Sequence, residues 1–106
     1  MTHFGDRLIE ANRRTATPLC MGIDPHVNMI PAIFGNAQDS AAGDAAIRAI
    51  DDFSMACLEQ AIGNVAAIKP QAAFFEKQGP AGMQILQNLG RAAIDAGLLV
   101  IMDAKR

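Results

Sequence analysis

Apolar positions along the chain fall into two alternating kinds of pattern. Three short runs are apolar at consecutive positions: Leu19-Cys20-Met21-Gly22-Ile23, Val65-Ala66-Ala67-Ile68 and Leu98-Leu99-Val100-Ile101-Met102. Unbroken apolar runs of this length mark parallel strands covered by helices, because neither face of such a strand meets water. Between them the period lengthens to that of a helix. Ala46, Ile50, Phe53, Cys57 and Ala61 recur in steps of three and four, as do Met83, Leu86, Leu89, Ala93 and Ala96, and each set predicts one inward stripe.

Punctuation supports these boundaries. Thr2 can cap an opening helix with Phe4, Leu8 and Ile9 as its apolar stripe, closed by Thr15-Ala16-Thr17-Pro18. Asp39 or Ser40 opens the second helix and Gly63-Asn64 stops it; Gly79-Pro80 opens the third and Gly97 closes it. Residues 25 to 39, with Pro25, Pro31 and Gly35, read as irregular, and Gln71 to Phe75 read as a prolongation of the second strand. The predicted order is helix, strand, helix, strand, helix, strand, with crossovers of the kind that join parallel strands. The fold class is α/β, without repeat, low-complexity tract or interdomain linker.

Composition narrows the function classes. About half of the 106 residues are apolar, which permits a core. Charged residues make up 19%, the formal net charge is −2, and Lys and Arg never cluster beyond a pair, which argues against a nucleic-acid surface or a polybasic membrane patch. No run approaches the ~18 apolar residues of a membrane span, and the first 17 residues lack the apolar core of a signal peptide. Cys20 and Cys57 lack metal-ligand spacing and read as small buried hydrophobes in a reducing, cytoplasmic compartment. The six methionines read as core filler, and His3 and His26 as loop residues. Neither GxGxxG nor GxxxxGK[ST] occurs, so a nucleotide-cofactor loop has no support. Small-molecule or protein partners fit best.

Charge is placed where chemistry is expected. Asp24 follows the first strand, Lys69 the second, and Asp103 and Lys105 the third. Carboxyl ends of parallel strands are where α/β folds assemble active sites, since helices seal the faces and the loops there are free to vary. Side chains alternate along a strand, so Asp103 and Lys105 are predicted to project together, away from Ala104. A solvated strand end would show an incidental ion pair worth ~0–1 kcal/mol; three successive strands ending in charge argue for a site. A carboxylate between two ammonium groups is a preorganised field rather than a nucleophile with its base. It suits a step in which a substrate carboxylate departs and the carbanion left behind is protonated.

The segments "PLCMGIDP" (18–25), "AIKPQAAFFE" (67–76) and "LLVIMDAKR" (98–106) resemble the first three strands of the orotidine 5′-phosphate decarboxylase family, in its longer bacterial form. The resemblance runs through essentially the whole chain. It implies a parallel (β/α)8 TIM barrel, of which residues 1–106 would supply an incomplete N-terminal part, three strands with their helices. It also implies conversion of orotidine monophosphate to UMP and CO₂ in pyrimidine synthesis, without metal or organic cofactor, by a homodimer. Carried over position by position, Asp24 contacts the ribose, and Lys69 binds the ribosyl region and pairs with the catalytic aspartate. Asp103 opposes the departing carboxylate, and Lys105 protonates C6.

The family motif is DxKxxD, whose last aspartate would fall two residues beyond Arg106, and a full barrel needs about 200 residues or more. The expectation is therefore a fragment that does not decarboxylate by itself and that exposes unpaired sheet edges. Two other readings stay open. A sister decarboxylase acting on a keto-sugar phosphate with Mg²⁺ would need a carboxylate ligand near the second strand, for which Glu76 is the nearest acid. A non-catalytic half-barrel would cover its open edge with a partner or a second copy.

Overall fold

The computed structural model describes residues 3–35 and 43–104. Elements follow the order α1 (Phe4–Thr15), β1 (Cys20–Ile23), α2 (Gly43–Ala61), β2 (Ala67–Pro70), α3 (Ala72–Glu76), α4 (Gly79–Asp95) and β3 (Leu99–Val100), with two 3₁₀ turns, Val27–Met29 and Ala32–Phe34, after β1. The strands form one parallel sheet in the order β1-β2-β3. Cys20 pairs with Ala67 and Gly22 with Lys69; Ala67 in turn pairs with Leu99. The α/β class and the parallel arrangement thus match the sequence reading.

Helices α2 and α4 cover one face of the sheet. The core there is built on Ile23, Ile50, Leu58, Ile68, Phe75, Leu86 and Leu89, each at most 5% exposed. A second, smaller cluster joins Ala11 of α1 to Ala66, Ala67 and Leu99, with Leu8 and Ile101 packed against it. Alternation along the strands places Cys20 and Gly22, Ala67 and Lys69, and Leu99 and Ile101 on a common face. At the amino ends of the strands α1 covers that face; towards the carboxyl ends it is open.

This one-sided burial explains where the sequence reading departs from the structure. β1 was expected to be apolar on both sides because helices would cover it; as an edge strand it buries only Ile23, and Cys20 is exposed rather than a core residue. Phe4 and Ile9 are exposed, and α1 turns Ala11 inward instead. In α2 the deeply buried positions are Ala49, Ile50, Ser54, Leu58 and Ala61, while Phe53 and Cys57 flank the core. In α4, Met83 is 42% exposed and Ala96 lies beyond the helix; Gly82 and Ile85 take the inward positions.

Local chemistry accounts for the element ends. His3 caps α1, its Nδ1 accepting from the Gly5 N–H at 3.0 Å; Thr2 lies outside the described residues, as do Asp39 and Ser40. Gly97, with φ +90°, closes α4 while the Leu98 N–H reaches back to the Ala93 carbonyl at 2.9 Å. Residues 71–75 are expected to prolong the strand, but the chain turns into the short helix α3 from Ala72 onward. β3 is shorter than the apolar run 98–102 because of Pro70. The Ile101 N–H donates to Ile68 and the Asp103 N–H to Pro70, at 2.9 and 3.1 Å. The intervening donor would be the Pro70 nitrogen, which carries no hydrogen. The ladder skips one rung and resumes as a parallel bridge between Gln71 and Asp103.

Candidate active site

Pro70, the proline that interrupts the ladder, stands directly between two polar residues of the open face. Lys69 and Gln71 are two positions apart and point the same way, and the bridge to Gln71 sets Asp103 alongside them. The Lys69 ammonium lies 3.5 Å from Asp103 Oδ2, and Gln71 Nε2 donates to the same oxygen at 3.1 Å. The Lys69 and Asp103 side chains are 44% and 28% exposed. Solvent screens a pair this open, so it adds only ~0–1 kcal/mol to stability. Its value lies in placing a charge of each sign at the same strand ends.

The backbone around Asp103 is tied on both sides. Its N–H donates to Pro70 at 3.1 Å, its carbonyl accepts from the Ala72 N–H at 2.9 Å, and the Gln71 N–H donates to Ile23 of β1 at 3.1 Å. The carboxyl ends of all three strands are thus stitched together through residues 70–72.

Asp24 stands at the end of β1 on the same side of the molecule. Gly22 faces Lys69 in the register, and a Cβ added there would meet Asp24 Oδ1 at 4.0 Å, so the carboxylate folds back over the glycine. Asp24 makes no ion pair with Lys69 among the described residues. The structure therefore joins Lys69 to Asp103 and sets Asp24 at the neighbouring strand end. Lys105, the expected proton donor, lies outside the described residues.

Two residues at this end were not anticipated as parts of the site. Gln71 was read only as strand continuation, although its spacing of two from Lys69 was the available signal. His26, in the loop after β1, packs its ring on Phe74 of α3 with centroids 4.3 Å apart, and its backbone N–H donates to the Asp24 carbonyl at 2.8 Å. The loop bearing Asp24 is thereby held against the element that follows Gln71. A cavity of about 210 Å³ lined by His26, Phe74 and Lys77 lies at this junction. Glu76 ends α3. Among the described residues no three His, Cys, Asp or Glu side chains gather as metal ligands, and no helix is long and apolar enough to cross a membrane.

A parallel sheet backed by helices, with acid and base side chains gathered at its carboxyl ends, is the arrangement that (β/α)8 barrels present at their carboxyl-terminal face, and this chain supplies three such strands. Comparison with known proteins shows which barrels the chain is similar to. No family model matches the chain. Over all 106 residues it is 42% identical to the orotidine 5′-phosphate decarboxylase of Streptomyces coelicolor and 37% identical to that of Rhodopirellula baltica, covering 35% of each. A Corynebacterium glutamicum protein of the same name is 37% identical over 103 residues. A crystal structure assigned as orotidine 5′-phosphate decarboxylase from Streptomyces avermitilis superposes on the whole chain with a TM-score of 0.80 at 39% identity, and the chain covers 34% of it. The chain is thus similar from end to end to orotidine 5′-phosphate decarboxylases, and spans about one third of the length of these relatives.

Proposed function

We propose that a protein carrying this chain decarboxylates orotidine 5′-monophosphate to UMP, and that residues 1–106 form the N-terminal part of its barrel domain. One observation carries the reading: Lys69 and Asp103 meet at 3.5 Å across adjacent strand ends, in a chain 37–42% identical to proteins named for that reaction.

The chemistry follows from the charges. Asp103 stands against the substrate carboxylate, and the repulsion between the two anions is relieved when CO₂ departs. The electron pair of the broken C–C bond stays on ring carbon C6, and Lys105 supplies the proton that replaces CO₂ there. Lys69 holds Asp103 in place and lies towards the ribosyl group, and Asp24 accepts hydrogen bonds from the ribose. Because the array is set before substrate arrives, it costs little reorganisation during the reaction. No metal or organic cofactor is assigned. The protein acts in the cytoplasm as a homodimer.

The test is loss of substrate absorbance with orotidine monophosphate, using a polypeptide of the relatives' length that carries this sequence. Turnover that survives chelator, and a fall of at least about a hundredfold in kcat/KM on Lys69→Ala or Asp103→Ala, support the assignment. A full-length protein without turnover, or one dependent on Mg²⁺, overturns it. The 106-residue chain by itself is expected to show no turnover.

A further inference from the structure

We propose that Gln71 is a positioning residue: it fixes the rotation of the Asp103 carboxylate, so that Oδ2 is held by the protein and Oδ1 is presented to the substrate's departing carboxylate. The proposal rests on the decarboxylase reading and deepens it.

Gln71 Nε2 and Lys69 Nζ both approach Oδ2, at 3.1 and 3.5 Å. The terminal torsion of an aspartate is broad and roughly two-fold, so an ammonium on a long flexible stem does not by itself decide which oxygen faces outward. Gln71 can decide it because its own backbone does not drift relative to Asp103. The two residues form a parallel bridge, flanked by hydrogen bonds of 3.1 Å from Asp103 to Pro70 and 2.9 Å from Ala72 to Asp103. On its other side the Gln71 N–H is tied to Ile23 of β1 at 3.1 Å. Donor and acceptor are thus anchored in one piece of sheet.

The residue type fits the task. A further cation on Asp103 would weaken the repulsion that expels the substrate carboxylate. A carboxylate at position 71 would add to the repulsion but would push Asp103 out of place. A neutral amide orients Asp103 without changing the charge of the site. The pairing does not depend on Pro70: the register that sets Ala67 opposite Leu99 and Ile68 opposite Val100 continues past the missing rung and keeps Gln71 opposite Asp103.

Two measurements test this. In a polypeptide of the relatives' length, Gln71→Met keeps the side-chain length and removes the donor. It is expected to lower kcat by about 10- to 100-fold, the range seen when a partner that orients an active group is removed, with KM changed less than about twofold. Gln71→Glu is expected to lose more. Unchanged kcat in Gln71→Met overturns the proposal, and so does a loss confined to KM. The second measurement leaves position 71 intact: in the same polypeptide of the relatives' length, the Gln71 side-chain amide signal in a ¹H–¹⁵N NMR spectrum is expected to move on Asp103→Ala and to move less on Asp103→Asn, which retains an acceptor. In folded variants, as judged by the dispersion of the backbone amide signals, a Gln71 amide signal indifferent to both substitutions overturns the positioning role. Absence of turnover in the unsubstituted protein would instead count against the decarboxylase reading, while the amide signal still reports on Gln71.

Discussion

Gly82 and Gly90 lie on the same helix, α4, and the same substitution is expected to have opposite effects at the two positions. At Gly82 an added Cβ would overlap the carbonyl oxygen of Phe75 and stand 2.8 Å from Gln78 Cβ and 2.9 Å from the Phe75 carbonyl carbon. These atoms belong to the end of α3 and the turn into α4, and the main clash is with backbone, so no side-chain rotation relieves it. Phe75 is fully buried, so displacing its backbone also disturbs the core. Overpacking of this kind costs about 1–3 kcal/mol or more, and a clash against backbone belongs at the upper end. Against that stands the helix preference for Ala over Gly, about 1 kcal/mol. The net expectation for Gly82→Ala is a loss of about 2 kcal/mol, roughly 10 °C in Tm for a chain of this size. At Gly90 an added Cβ meets nothing within 4 Å, so only the propensity term remains, and Gly90→Ala is expected to gain up to ~1 kcal/mol. Thermal and urea unfolding followed by far-UV circular dichroism measure both. Equal effects at the two positions would refute the close approach of α3 and α4.

Two further outcomes concern titrating and reactive groups. Asp51 on α2 is pushed above its ordinary value, first by partial burial and then by the adjacent charge of Asp52. The folded chain therefore keeps that proton to higher pH than the unfolded chain does, and this site's contribution to stability falls as pH rises through the carboxylate range. Asp51→Asn is expected to flatten that slope and to raise stability at neutral pH relative to acid, as read by urea midpoints at several pH values; a variant with the parent's pH slope would contradict the assignment. Cys20 is exposed, whereas burial pushes the Cys57 thiol up. Under native conditions a thiol reagent is expected to label Cys20 first, with Cys57 following at higher pH or on unfolding, and mass mapping that found Cys57 modified first would show that the burial is wrong.

The α/β class, the helix–strand order and the strand ends bearing Asp24, Lys69 and Asp103 were all legible in the linear pattern, because each depends on local periodicity and on punctuation by Gly and Pro. Lys69 and Asp103 could be paired on paper because both end strands of one sheet. Burial was harder to read. The exposure of Cys20, Phe4 and Ile9 depends on which face of the sheet is covered, and α3 was mistaken for strand because five residues are too short to show a helical period. Gln71 went unread as a site residue because glutamine carries no charge and belongs to no motif.

By itself the sequence determined which residues could carry the chemistry: a parallel strand needs an apolar run, a helix an apolar stripe, and an active site charged groups where strands end. Only the tertiary structure decided which of those residues meet. Lys69 and Asp103, 34 positions apart, converge because β2 and β3 are neighbours in parallel register. Gln71 joins them because the register that pairs Ala67 with Leu99 carries on unchanged past the rung missing at Pro70 and sets Gln71 opposite Asp103. That register follows from how two strands share donors and acceptors, which no single stretch of sequence contains.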